Sequence, residues 1–319
     1  MKFNPSPNTS FLVILLLVLT VPTATTITPM YTWMTVHNPA LRDESLAKEA
    51  LIRLKGLGVT KVFVDVWNNG RLYTKSGIYN QMMGISVNPN PDYLSNVIRA
   101  AQSIGGIEVA AWFEYGLIGC FLSEPCQYGD RARQFGWELG TSGEYTWLDP
   151  GNSHFRAFFS SMLHEVKLAY YKEFSSFKGV QVDDHFAVPT DLTSDSEDVS
   201  VLAHYIADLL GREYLSISPA PMPFAKEKLN ADWPTWMNLG YFYEVILQVY
   251  TESTSSFVSE LNLQLEYYGN LAKIGAGIRC AGTGVHTPVY AIKDQIAYAE
   301  SVGVKATAIW DEWCLMKDF

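Results

Sequence analysis

Eight short apolar runs recur along the chain, with longer amphipathic stretches between most of them, and this order constrains the fold more than any other feature. The runs are Met30–Val36, Lys61–Val66, Ile107–Phe113, Gly179–Asp183, Tyr214–Ser218, Val245–Tyr250, Ala272–Arg279 and Lys305–Trp310. The stretches Asp43–Leu57, Pro91–Ile104, Ser153–Tyr171, Glu197–Leu210, Ser255–Tyr268 and Pro288–Val302 carry helical periodicity. Strands alternating with helices read as repeated βα units on a parallel sheet. Eight such strands suffice to close a (β/α)₈ TIM barrel, and a chain of 319 residues is long enough for one. The predicted class is therefore α/β, a single barrel domain over residues 25–319. A doubly wound open sheet is the rival, but no G-x-G-x-x-G follows the first strand.

Local signals agree with this order. Asp43 suits an N-cap, Gly56 and Gly58 a helix stop, and Pro91 and Pro288 first-turn positions. Two long connections, Glu114–Gly151 and Pro219–Trp236, follow strands, so both are expected on the C-terminal face where barrel sites are built.

Residues 1–24 have the three regions of a secretory signal peptide: Lys2, the apolar run Phe11–Leu19, and small residues to Ala24. The expected mature protein is secreted and free of the membrane. Apart from Asn8 in that leader, the chain has no Asn-x-Ser/Thr sequon. Cys120 and Cys126 share one loop, while Cys280 and Cys314 follow the seventh and eighth strands, neighbours in a closed barrel. These two pairs are expected to form disulfides, since an oxidising compartment lets them persist.

A net charge of −10 argues against a nucleic-acid partner, which would need clustered Lys and Arg. Nine Trp and eighteen Tyr offer apolar faces on which sugar rings can stack. Polar residues at the strand ends fit the same ligand class. In Gly179-Val180-Gln181-Val182-Asp183-Asp184-His185-Phe186, period-two alternation turns Gln181 and Asp183 toward the barrel axis and sets Asp183 at the rim. Two adjacent carboxylates repel and need a compensating neighbour. The third strand ends in Trp112, Phe113 and Glu114; the second in Asp65, Trp67, Asn68 and Arg71; the last in Trp310, Asp311, Glu312 and Trp313. On the sixth, the same alternation would place Gln248, Tyr250 and Glu252 on one side.

Acids, amides and aromatics at five strand ends, with few His and no metal-ligand spacing, point to carbohydrate hydrolysis by two carboxylates. Asp183 is the expected nucleophile or base, Glu252 the expected acid, Glu312 the reserve acid, and Asp184 the group that tunes Asp183. Glu114, Trp67, Asn68, Trp112, Gln181, His185, Gln248, Tyr250 and Trp310 are the expected sugar contacts. The substrate is an oligo- or polysaccharide. No cofactor or metal is called for, although clustered carboxylates would suit calcium. A metal-dependent deacetylase would need more His than His185 beside the acids. A secreted barrel that binds sugar without turnover is the alternative, and the sugar, anomeric outcome and oligomeric state stay open.

Several strings together, Gly179 to Pro189, Ala111 to Gly116, Trp147 to Pro150, Ser216 to Phe224 and Ile246 to Tyr250, resemble the glycosyl hydrolase-like 10 family of bacterial proteins from about Met30 to Trp313. The resemblance implies a (β/α)₈ barrel and a polysaccharide hydrolase. It carries the family's Asp pair onto Asp183 and Asp184, its W-F-E/N position onto Glu114, its Q-V-Y onto Gln248 and Tyr250, and an acid near the last strand onto Glu312. Glu252 stands where Asp is expected. The G-x-Q-x-D pattern is also similar to the fourth-strand G-x-K-x-D of α-galactosidase-type barrels, an analogy at the level of fold.

Overall fold

The computed structural model describes residues 28–85, 92–192, 196–282 and 285–319. The expected signal peptide, and Pro91 as a helix start, lie outside them. Eight parallel strands form the barrel: β1 (Met30–Met34), β2 (Val59–Asn68), β3 (Glu108–Phe113), β4 (Phe177–Asp183), β5 (Leu215–Ser218), β6 (Glu244–Gln248), β7 (Ile274–Arg279) and β8 (Ala306–Trp310). They pair in sequence from β2 through to β8, β8 pairs with β1, and pairing of β1 with β2 closes the ring. The helices include α1 (Glu44–Gly56), α2 (Tyr93–Ile104), α3 (Ser153–Tyr170), α4 (Ser196–Leu210), α5 (Thr254–Tyr267), α6 (Val289–Val302) and α7 (Glu312–Asp318). Among the described residues none is long and apolar enough to cross a membrane.

The alternation of the strands makes two separate apolar layers. Val62, Val64, Val109, Ala111, Val180, Val182, Val245 and Leu247 turn outward into the layer shared with the helices. Tyr31, Trp33, Phe63, Ala110, Trp112, Ile246, Ala306 and Ala308 fill the lumen. Side-chain caps fix where helices begin: Asp43 accepts from the amides of Ser45 and Leu46, Asp92 from Ser95, and Asn152 from His154 and Phe155. Pro288 is itself the cap residue of α6, one position before the first turn. Gly179 has φ +120, and a Cβ there would stand 2.2 Å from the carbonyl oxygen of Tyr214, so β4 and the turn before β5 approach closely only because this residue is glycine.

The long connection after β3 folds into a three-stranded antiparallel sheet, Ile118–Phe121, Glu138–Ser142 and Tyr145–Leu148, with a short helix at Gln127–Gln134. The connection after β5 holds two short helices, Phe224–Leu229 and Trp233–Asn238. Both expected disulfides are present: Cys120–Cys126 joins Cα atoms 5.8 Å apart, and Cys280–Cys314 joins Cα atoms 6.1 Å apart.

Candidate active site

The C-terminal ends of the strands open into a cleft with two lobes. The first, about 300 Å³, is lined by Trp112, Glu114, Asp183, Asp184, His185, Gln248, Tyr250, Arg279, Ala281, Gly282 and Trp310. The second, about 590 Å³, includes His37, Asn38, Asn68, Phe121, Asp311, Glu312 and Trp313, and shares Glu114, Gly282 and Trp310 with the first. Trp310 is thus the common wall, with its ring 5.5 Å from that of Trp112 and 6.5 Å from that of Tyr250.

Asp183 ends β4 pointing into the lumen, 4% exposed, while Asp184 begins the following turn at 28%. His185 joins them: its Nδ1 lies 3.4 Å from Asp183 Oδ2 and 3.3 Å from Asp184 Oδ1, and its amide donates to Asp183 Oδ1. Gln248 Nε2 donates to Asp184 Oδ1 and to the Ser218 carbonyl. Burial pushes the Asp183 carboxyl well above the usual range, against the pull of His185 and with the push of Asp184. Burial also acts to raise Asp184, but the charge of His185 and hydrogen bonds from His185 and Gln248 outweigh it and hold that carboxylate low. Burial acts to lower His185, yet the two aspartates win and keep it cationic. Tyr115, Tyr145 and Trp147 wall in the imidazole, with ring centroids 4.8, 5.6 and 6.2 Å away.

A second carboxyl pair adjoins this trio. Asp65 is fully buried, and both it and Glu114 are displaced upward, chiefly by burial. Asn68 Nδ2 donates to Glu114 Oε2 at 2.7 Å and to Asp65 Oδ2 at 3.4 Å. In the second lobe Glu312 is pushed up to about 8 by burial and by Asp311, and its Oε1 accepts from Asn38 Nδ2.

Asp183, Asp184, His185, Glu114, Trp112, Gln248, Tyr250 and Trp310 therefore meet in one lobe, with Asn68 and Glu312 in its neighbour. Three expected residues do not join them. Trp67 is buried outside the barrel against Tyr79 and Tyr128, because an irregularity in register between Asp65 and Trp67 breaks the alternation that would have turned it inward. Gln181 faces the lumen but lies below the cleft, where it accepts from Trp33 Nε1 and donates to Ser216 Oγ. Glu252 is 70% exposed and, among the described residues, reaches Arg279 at 3.5 Å; β6 ends at Gln248, so its alternation does not extend to residue 252.

The sequence assigns no role to Asp65, which it places at the end of the second strand, nor to Arg279 or the aromatic wall of His185. The inward phase that selects Asp183 on β4 also selects Asp65, which shares a face of β2 with Phe63. Tyr145 and Trp147 come from the inserted sheet, and although Trp147 opens one of the strings that carry the family resemblance, nothing in that string sets it beside His185. Asp183, Asp184 and His185 offer ligand atoms within 4.8 Å of one another and so could hold a cation, although a protonated imidazole competes with any metal.

A closed ring of eight parallel strands with helices outside it defines the (β/α)₈ TIM-barrel class of fold, and here its C-terminal cleft gathers carboxyls and indoles. Comparisons with solved structures agree on that class. The chain is similar to the PgaB (BpsB) glycoside hydrolase domain from Bordetella bronchiseptica, at 10% identity over 91% of this chain and 95% of that one, with a TM-score of 0.62. It is also similar to the catalytic domain of a beta-amylase from Paenibacillus polymyxa, at 12% identity over 91% and 93%, TM-score 0.59. A fungal endo-beta-N-acetylglucosaminidase of glycosyl hydrolase family 18 matches at 13% identity over 90% and 96%, TM-score 0.57. No curated protein matches the sequence. The glycosyl hydrolase-like 10 family model matches residues 30–210, and the chain belongs to that family.

Proposed function

We propose that the protein is a secreted enzyme that hydrolyses glycosidic bonds of an oligo- or polysaccharide, with Asp183 as general acid and Asp184 as the ionised partner. The observation that carries this reading is the opposite displacement of two adjacent carboxyls in one cleft, Asp183 upward and Asp184 downward. Glycoside hydrolysis needs one carboxyl protonated and one ionised at the same pH, and environments that separate their pKa values supply that. These roles revise those expected from sequence, which gave Asp183 the ionised part and Glu252 the acid.

Asp183 would protonate the leaving oxygen, while Asp184, fixed by His185 and Gln248, would face the positive charge that develops at the anomeric carbon. Trp310 and Trp112 offer apolar faces for the sugar ring. Oxygen atoms of the two carboxyls lie within 4.8 Å, nearer the roughly 5–5.5 Å spacing of retaining enzymes than the roughly 6.5–9.5 Å that admits a water in inverting ones. Secretion is supported by the two disulfides, which persist in oxidising compartments.

The test is a glycan panel assayed for released sugar, with the first-formed anomer read by proton NMR. The wild type should retain configuration, and Asp183→Asn should lower kcat by about 10²–10⁴-fold, the usual contribution of a general acid. Asp184→Asn should lower it comparably and flatten the acid limb of the pH profile. Near-normal turnover in Asp183→Asn, or an inverted first product, would overturn these assignments.

A further inference from the structure

The first lobe has unlike walls. Toward β3 and β4 stand Glu114, Asp183, Asp184 and His185; across Trp310, at the end of β7, stands Arg279. The acids are largely matched among themselves. Burial raises the carboxyls of Asp183 and Glu114, Asn68 donates to Glu114 at 2.7 Å, and the charge of Asp184 is met by His185 at 3.3 Å. Arg279 is not matched in this way.

Its side chain is 16% exposed, and among the described residues its side-chain partner is the exposed Glu252, at 3.5 Å and thus at the outer limit of a hydrogen bond. Its Nε is buried with no hydrogen-bond partner. The backbone beneath it is held firmly. Arg279 pairs in register with Trp310, the amide of Cys280 donates to the Trp310 carbonyl at 2.7 Å, and Cys280 is tied to α7 through Cys314.

We propose that Arg279 anchors a carboxylate of the substrate, so that the cleft takes an acidic glycan, a chain carrying uronate units. This rests on the reading of the cleft as a glycan site. The Nη groups of a planar guanidinium present paired N–H donors as a fork that matches a carboxylate, and a uronate would engage them while displacing the loosely held Glu252. The ring would lie over Trp310, its charged substituent toward β7 and its scissile bond toward Asp183. Arg279 thereby sets specificity and takes no part in proton transfer.

Binding is measured by calorimetry on the full chain carrying Asp183→Asn, so that turnover does not interfere and the result does not depend on the hydrolytic assignment. The probes are oligosaccharides of polygalacturonate, alginate and glucuronoxylan, each beside its carboxyl-reduced neutral counterpart. At least one acidic member should bind more tightly than its reduced partner, and added salt should narrow the gap. Arg279→Gln should abolish the preference, about a tenfold loss or more for one charge-assisted hydrogen bond. Arg279→Lys should keep part of it, since a point charge lacks the fork, and Glu252→Gln should enlarge it by removing the competing carboxylate. Absence of preference for every acidic probe, or a preference that survives Arg279→Gln in a folded protein, would overturn the proposal.

Discussion

The two ends of the barrel lumen both carry buried charge, and they handle it in opposite ways. At the N-terminal end Glu244 is fully buried, yet Lys61 lies 2.9 Å and Lys305 2.7 Å from its oxygens, and the Tyr243 hydroxyl donates to it. Burial acts to raise this carboxyl, but the two lysines win and hold it low. At the C-terminal end Asp183 has one imidazole shared with Asp184, and burial wins. Paired charge closes one end as structure, while unbalanced carboxyls leave the other able to give and take protons. That difference, more than the number of acids, separates the cleft from the plug beneath it.

The largest stability effect should come from breaking the paired end. Glu244→Gln leaves buried Lys61 with the Tyr243 hydroxyl at 3.2 Å and, as its remaining carboxylate among the described residues, Glu108 at 3.7 Å, and should cost about 3–5 kcal/mol of unfolding free energy. Urea denaturation measures it. Asp183→Asn should do the reverse at neutral pH. A carboxyl whose folded pKa is raised costs stability once pH exceeds its unfolded value, so removing it relieves the fold. Glu244, with a lowered folded pKa, stabilises above its unfolded value and loses that contribution as pH falls through the folded one. Wild type and Glu244→Gln should therefore converge in acid, whereas wild type and Asp183→Asn should diverge as pH rises. Equal losses in both variants at neutral pH would erase the contrast between the two ends.

How much of this was legible in sequence follows from the reach of each signal. All eight strands and both disulfides could be read, because strand period and neighbour order are local properties that the closed ring preserves. The acid cluster at β4 was legible through the inward phase of Gln181 and Asp183. Phase fails where the strand stops being regular. The irregularity after Asp65 turned Trp67 outward, and the end of β6 at Gln248 left Glu252 in solvent. Depth is also invisible to phase, so Gln181, on the correct face, sits one layer too low. The opposite displacements of Asp183 and Asp184 depend on depth of burial and on Gln248 arriving from β6, neither of which the spacing of the β4 string encodes.

A smaller effect sharpens the comparison within the cleft. Glu312, pushed up to about 8, is protonated in the fold at neutral pH, and glutamine imitates that form while still accepting from Asn38. Glu312→Gln should thus match wild type within about 1 kcal/mol near pH 5 and then gain on it as pH rises toward 8, because only the wild type loses stability as its unfolded state ionises. Unfolding midpoints at the two pH values read the difference. A constant offset would mean that Glu312 is ionised in the fold, like Glu244.

The separated protonation of Asp183 and Asp184 is the central claim, and carbon-13 NMR of their side-chain carboxyls during a pH titration tests it most directly and needs no substrate. An ordinary aspartate titrates near about 3.9. The account predicts that the Asp183 carbon keeps its protonated shift well above that pH, while the Asp184 carbon stays in its ionised shift below it. Two carbons that titrate together in the ordinary range would contradict the account.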